Sequence, residues 1–173
     1  PEQKVEMLLA ASQGQRQLCR GQGAELCWAR TPAPLKSVQV LDIFRQKTAP
    51  AFEVALRLGA IYAHNHAEVA EALKTYSEAL GIAYQIRDDL SDLGSQGETN
   101  DIAGLRPSLV LALAYERAKG EQQAMLESVW RRALQPGLGP EKVEQLYVEL
   151  KADERARTLL ETYKEEAIRS LRE

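Results

Sequence analysis

The chain has 173 residues, 22 basic and 25 acidic, for a net charge of −3 with histidine neutral, and 45% of it is apolar. That balance suits one globular domain with a real core, and the expectation is a single domain over 1–173. It excludes non-specific nucleic-acid binding, which needs an excess of Lys and Arg facing phosphates. No apolar run reaches the roughly 18 residues of a membrane-spanning helix, and the start, PEQKVEMLLAAS, carries charges where a signal peptide would not. The chain opens on Pro1, which reads as a piece of something longer. Cys19 and Cys27 lie eight apart with no CxxC spacing, so neither a disulfide framework nor a common zinc pattern is present. Two plain thiols in a reducing, cytoplasmic compartment are expected.

In chain order, good helix formers dominate and β-branched runs are missing, so the reading is helix nearly throughout. A first helix is expected over roughly 3–20, ended by Gly21 and Gly23. Thr31-Pro32-Ala33-Pro34 reads as a loop. A second helix should run from about Lys36 to Tyr62, with a kink or break near Thr48 caused by Pro50. His64 and His66, in AHNHAE, read as a polar turn. A third helix is expected from about Ala67 to Leu93, followed by a loop punctuated by Gly94, Gly97 and Gly104. A fourth should start near Pro107. Gly120 and the Gln135-Pro136-Gly137-Leu138-Gly139-Pro140 loop separate the rest, and the charged stretch from about Glu141 onward reads as one or two amphipathic helices. Loops this short put successive helices beside each other, as in a bundle.

The segment that could carry chemistry is Ala83-Tyr84-Gln85-Ile86-Arg87-Asp88-Asp89-Leu90-Ser91-Asp92. At about 100° per residue, Gln85, Asp88, Asp89 and Asp92 share one polar stripe. Carboxylates that close repel one another unless a cation sits among them, and Mg²⁺ takes a carboxylate or two together with substrate phosphates. Any amphipathic surface helix could show the same pattern, with Leu73, Tyr76, Leu80, Ala83 and Leu90 on its core side. Gly81, on the polar side one turn before Gln85, tilts the balance: close approach by a partner or ligand is one reason to tolerate its cost of about 1 kcal/mol. Upstream, Lys47-Thr48 offers a cation and a hydroxyl. Downstream, Arg106 stands just before Pro107-Ser108-Leu109. Carboxylates, a metal and flanking Lys and Arg suit a diphosphate, whose growing charge they neutralise. No Ser-His-Asp or Cys-His arrangement competes.

The order Gly21-Gln22, Lys47-Thr48-Ala49, Leu58-Gly59-Ala60 and Leu80-Gly81-Ile82-Ala83-Tyr84-Gln85-Ile86-Arg87-Asp88-Asp89-Leu90-Ser91-Asp92 resembles the trans-polyprenyl diphosphate synthase family over roughly residues 15–115. The resemblance implies an all-α bundle of the isoprenoid-synthase type, incomplete at its N-terminus. It implies a prenyltransferase that condenses isopentenyl diphosphate head-to-tail with an allylic diphosphate, using Mg²⁺, as a homodimer. Asp88, Asp89 and Asp92 would be the second aspartate-rich motif, holding the metal. Gln85 would line the cavity beside it. Lys47, with Thr48 next to it, would contact the allylic diphosphate. Arg106 would replace a family lysine, keeping the charge and adding a planar fork.

Three departures stand out. Gly97-Glu98 occupies the place of a family Gly-Lys, and Tyr84 that of a Phe. The family's first aspartate-rich motif has no counterpart here, so the chain alone is expected to be inactive. Two rivals remain at this level: a non-catalytic homologue acting as a dimer partner, which Glu98 favours, and a terpene cyclase of the same fold. For the cyclase, Asn100-Asp101 begins the expected metal motif, but Gly104 and Ser108 stand where a hydroxyl and an acid are required.

Overall fold

A computed structural model describes residues 2–64, 66–93, 106–133 and 137–172. Those residues form seven α-helices and no strand: α1 (Glu2–Arg30), α2 (Ser37–Tyr62), α3 (His66–Ser91), α4 (Leu109–Arg117), α5 (Gly120–Trp130), α6 (Pro140–Glu149) and α7 (Ala152–Ser170). Gly97, Glu98, Asn100, Asp101 and Gly104 lie outside the described residues, and so do Gln135 and Pro136 of the later loop.

Several boundaries depart from expectation. Helix α1 does not end at Gly21; it continues through Gly21 and Gly23 to Arg30. Helix α2 continues through Pro50 without a break. Helix α4 begins at Leu109 rather than Pro107, because Ser108 caps it: the Ser108 hydroxyl accepts from the Leu111 N–H at 3.2 Å. The turn at His64 is present, with His64 in the left-handed region at φ 64°. The charged C-terminal stretch forms two helices, α6 with Pro140 in its first turn and α7.

The chain divides into two compact units. The first comprises residues 1–24, 43–85 and 160–173, and its core includes Ala10, Phe44, Ala49, Ile61, Ala79, Ile82, Ala83 and Ala167. The second comprises 25–42 and 86–159. Its centre is α4, where Leu109 through Ala114 are all buried, and α4 packs on α5 and α6. Such a run, apolar on every face, is stable only when surrounded by other helices. Ile86, Leu126, Val129, Trp130 and Val143 complete that core, and the Trp28 ring meets Trp130 edge-on at 5.6 Å. Glu116 accepts from the Ser37 N–H at 2.7 Å, placing a carboxylate at the start of α2. Among the described residues no helix is long and apolar enough to cross a membrane.

Candidate functional site

In the first unit, Lys47 and Thr48 sit partly buried on α2, in a stretch whose backbone is held from two sides. Gly21 of α1 lies so close that a Cβ there would come 2.5 Å from Gln46 C and 2.6 Å from Lys47 N. Gly81 of α3 lies on Ala49 in the same way: a Cβ there would come 2.7 Å from its N and Cα. Only a residue without a Cβ permits either approach. Gly21 and Gly81 are distant in sequence, yet both bear on the one stretch of α2 that holds Lys47, Thr48 and Ala49. The close approach expected at Gly81 is therefore made by a neighbouring helix. Pro50 has no N–H to offer the Gln46 carbonyl one turn back, and Gly21 packs against that carbonyl. Gln85, at the end of this unit's part of α3, is buried with 8% exposure.

The same unit holds a cleft of about 360 Å³ floored by Ala49 and Pro50 and rimmed by Arg20, Arg45, Glu53, Lys74 and Glu78. Its rim charges are of both signs, and Arg45 faces Glu78 at 3.8 Å.

In the second unit, the three aspartates of the stripe have three different surroundings. The Asp88 side chain is one-third exposed, with Arg87 Nη2 at 3.9 Å. Asp89 turns toward the start of α4, where its Oδ2 accepts from the Val110 N–H at 3.0 Å and from the Ser108 hydroxyl at 3.2 Å. A carboxylate at a helix N-terminus completes orphan N–H groups and meets the positive end of the dipole. Burial nevertheless dominates and pushes the Asp89 carboxyl up to about 6, against the lowering effect of those hydrogen bonds and of Arg106. The buried Tyr147 phenol is raised as well, first by burial and then by the charge of Asp89. Asp92 Oδ2 accepts from Arg106 Nη2.

Among the described residues no three acidic, histidine or cysteine side chains gather as a ready-made metal cluster. Asp88 and Asp92 stand one helical turn apart on the same stripe and offer hard carboxylate oxygens. That donor set fits Mg²⁺, which keeps waters and fills its shell with phosphate oxygens. Sequence reasoning missed the anchoring of Asp89 on Ser108 and Val110. The available signal was a Ser immediately before an apolar run, the mark of a helix start.

The polyprenyl synthetase family model matches residues 2–150. The chain is 32% identical over 88 residues to the short chain isoprenyl diphosphate synthase of Methanocaldococcus jannaschii, covering 51% of this chain and 26% of that protein. It is 34% identical over 86 residues to the farnesyl diphosphate synthase of Escherichia coli, covering 49% of this chain and 28% of the relative. The crystal structure of geranylgeranyl pyrophosphate synthetase from Pyrococcus horikoshii superposes with a TM-score of 0.85 at 21% identity, over 99% of this chain and 54% of that one. The all-α fold is thus the one found in these synthases, and the chain spans about a quarter of the curated relatives' length and about half of the solved structure's.

Proposed function

Because the chain belongs to the polyprenyl synthetase family, we propose that the protein it comes from condenses isopentenyl diphosphate head-to-tail with an allylic diphosphate. The observation that carries this reading is the aspartate stripe at the end of α3. It brings two metal-capable carboxylates, Asp88 and Asp92, into one unit with the Arg106 cation, which is bonded to Asp92.

In this reading Asp88 and Asp92 would hold Mg²⁺, and Asp89 fixes the end of α3 against the start of α4. The metal, when bound, neutralises charge on the diphosphate leaving group. Lys47, with Thr48 next to it, and Arg106 would donate to diphosphate oxygens, and Gln85 would line the active-site cavity of the intact protein. The allylic C–O bond breaks as the diphosphate departs, the double bond of isopentenyl diphosphate attacks the cation, and a proton is lost. No side-chain nucleophile takes part.

The 173 residues contain one aspartate-rich run, so this stretch alone is proposed to be inactive. The protein is further proposed to be a cytoplasmic homodimer with no nucleic-acid partner. Val5, Leu8 and Leu9, all exposed on one side of α1, support self-association. The test is incorporation of labelled isopentenyl diphosphate into an extended product by the full-length protein, with and without a chelator. Incorporation that needs divalent metal supports the reading; absence of any product with all short allylic substrates overturns it.

A further inference from the structure

Asp92 and Arg106 have opposite tasks in this site, one toward a cation and the other toward an anion, and they are bonded to each other. Each side chain is about one-third exposed, at 37% and 34%, so both can reach a ligand and neither is locked in the core. The planar guanidinium fork matches a carboxylate better than an ammonium would. Arg106 also stands two residues before the α4 cap, Ser108, which is itself held by Asp89. Its backbone is therefore anchored beside the stripe.

We propose that the Asp92–Arg106 pair is a latch. Each residue occupies the other's ligand-binding group, and a metal with its diphosphate replaces the one ion pair by two new contacts at once. A lone cation must compete with Arg106 for Asp92, and a lone diphosphate must compete with Asp92 for Arg106. The site thus discriminates against either ligand alone. This inference rests on the metal–diphosphate reading above and adds to it the coupling between the two groups.

The experiment is a double-mutant cycle on the full-length protein, comparing wild type, D92N, R106Q and the double variant. Inorganic diphosphate binding is measured by calorimetry in chelator, and Mn²⁺ binding is measured alone. Both residues are partly exposed, so folding should be retained, and thermal melts verify it. D92N should tighten diphosphate binding about two- to fivefold while Arg106 is present, and not when combined with R106Q. R106Q should tighten Mn²⁺ binding by a similar factor. Equal tightening by D92N in both backgrounds would reduce the effect to charge repulsion and overturn the latch. If Mn²⁺ binding is lost in D88A but unchanged in R106Q, the latch fails while the metal reading stands. If wild type binds no Mn²⁺ with diphosphate present, both fail.

Discussion

Gly21 of α1 rests on the backbone of Lys47 in α2, so close that a side chain at position 21 would collide with the peptide joining Gln46 to Lys47. The neighbouring Gly23 has nothing within 4 Å of where its Cβ would be. Both lie inside α1, so each substitution by Ala gains roughly 1 kcal/mol of helix propensity. At Gly23 that gain should appear as added stability. At Gly21 it is outweighed by overpacking against backbone, which typically costs about 1–3 kcal/mol and cannot be relieved by a rotamer change. Gly21→Ala should therefore lower the denaturation midpoint and Gly23→Ala raise it. Urea unfolding of the two variants checks the opposite signs, and a stabilised Gly21→Ala would refute the packing account.

Asp89 predicts a pH dependence. Its carboxyl in the folded chain is raised to about 6 from 3.8, so between those values the folded state binds more protons than the unfolded one. The buried charge costs stability near pH 7, and that cost is relieved as pH falls through 6 toward 4. Asp89→Asn keeps an acceptor for the Val110 N–H and cannot titrate. In metal-free buffer, the stability of wild type relative to Asp89→Asn should thus rise on acidification, by on the order of 2 kcal/mol between pH 7 and 4. A relative stability that falls on acidification would mean the α4 contacts outweigh burial.

These two residues also mark what could be read from the sequence. The stripe of Gln85, Asp88, Asp89 and Asp92 follows from helical periodicity alone. The amphipathic helical character of the C-terminal stretch follows likewise, but periodicity leaves open whether it makes one helix or two, and the break between Glu149 and Ala152 is seen only in the structure. What Gly21 does was illegible, because local propensity treats a glycine as a helix end. Its use here depends on Gln46 and Lys47, which tertiary packing brings to it. Likewise the three aspartates look equivalent in a DDxxD spacing. They differ because Ser108 and Val110, 19 and 21 residues beyond Asp89, meet one of them, while Arg106 meets Asp92 and neither contact reaches Asp88.

Self-association gives a third expectation. Val5 and Leu9 are each 55% exposed and Leu8 70%, Leu8 and Leu9 lying one turn beyond Val5 along α1. Leaving such a face in water is costly, at about 25 cal/mol per Å². Sedimentation equilibrium should show a concentration-dependent dimer, and Leu8→Asp should shift it toward monomer without altering the helical circular dichroism. A wild-type chain that stays monomeric at high concentration would remove this support for the homodimer.

The last expectation concerns chemistry in the full-length protein. Asp88 is one of the two carboxylates assigned to the metal, and unlike Asp89 it is not committed to the start of α4. On the proposed reading, the charge that a metal there would neutralise is greatest when the allylic C–O bond is breaking, so its loss should fall on turnover rather than on binding of the intact substrate. Removing an electrostatic stabiliser of this kind typically costs about 2.7–4 kcal/mol, or roughly 10²–10³ in rate. Asp88→Ala should lower kcat by about that factor with little change in KM for the allylic diphosphate. Lys47→Ala should act in the same direction with a larger share in KM, because an ammonium on the diphosphate also stabilises the bound ground state. Raising Mg²⁺ should recover part of the activity of Asp88→Ala, through the remaining Asp92, and none of that of Lys47→Ala. Steady-state kinetics over a range of Mg²⁺ concentrations distinguishes the two patterns. Wild-type turnover in Asp88→Ala would show that the stripe is only a solvated helix face.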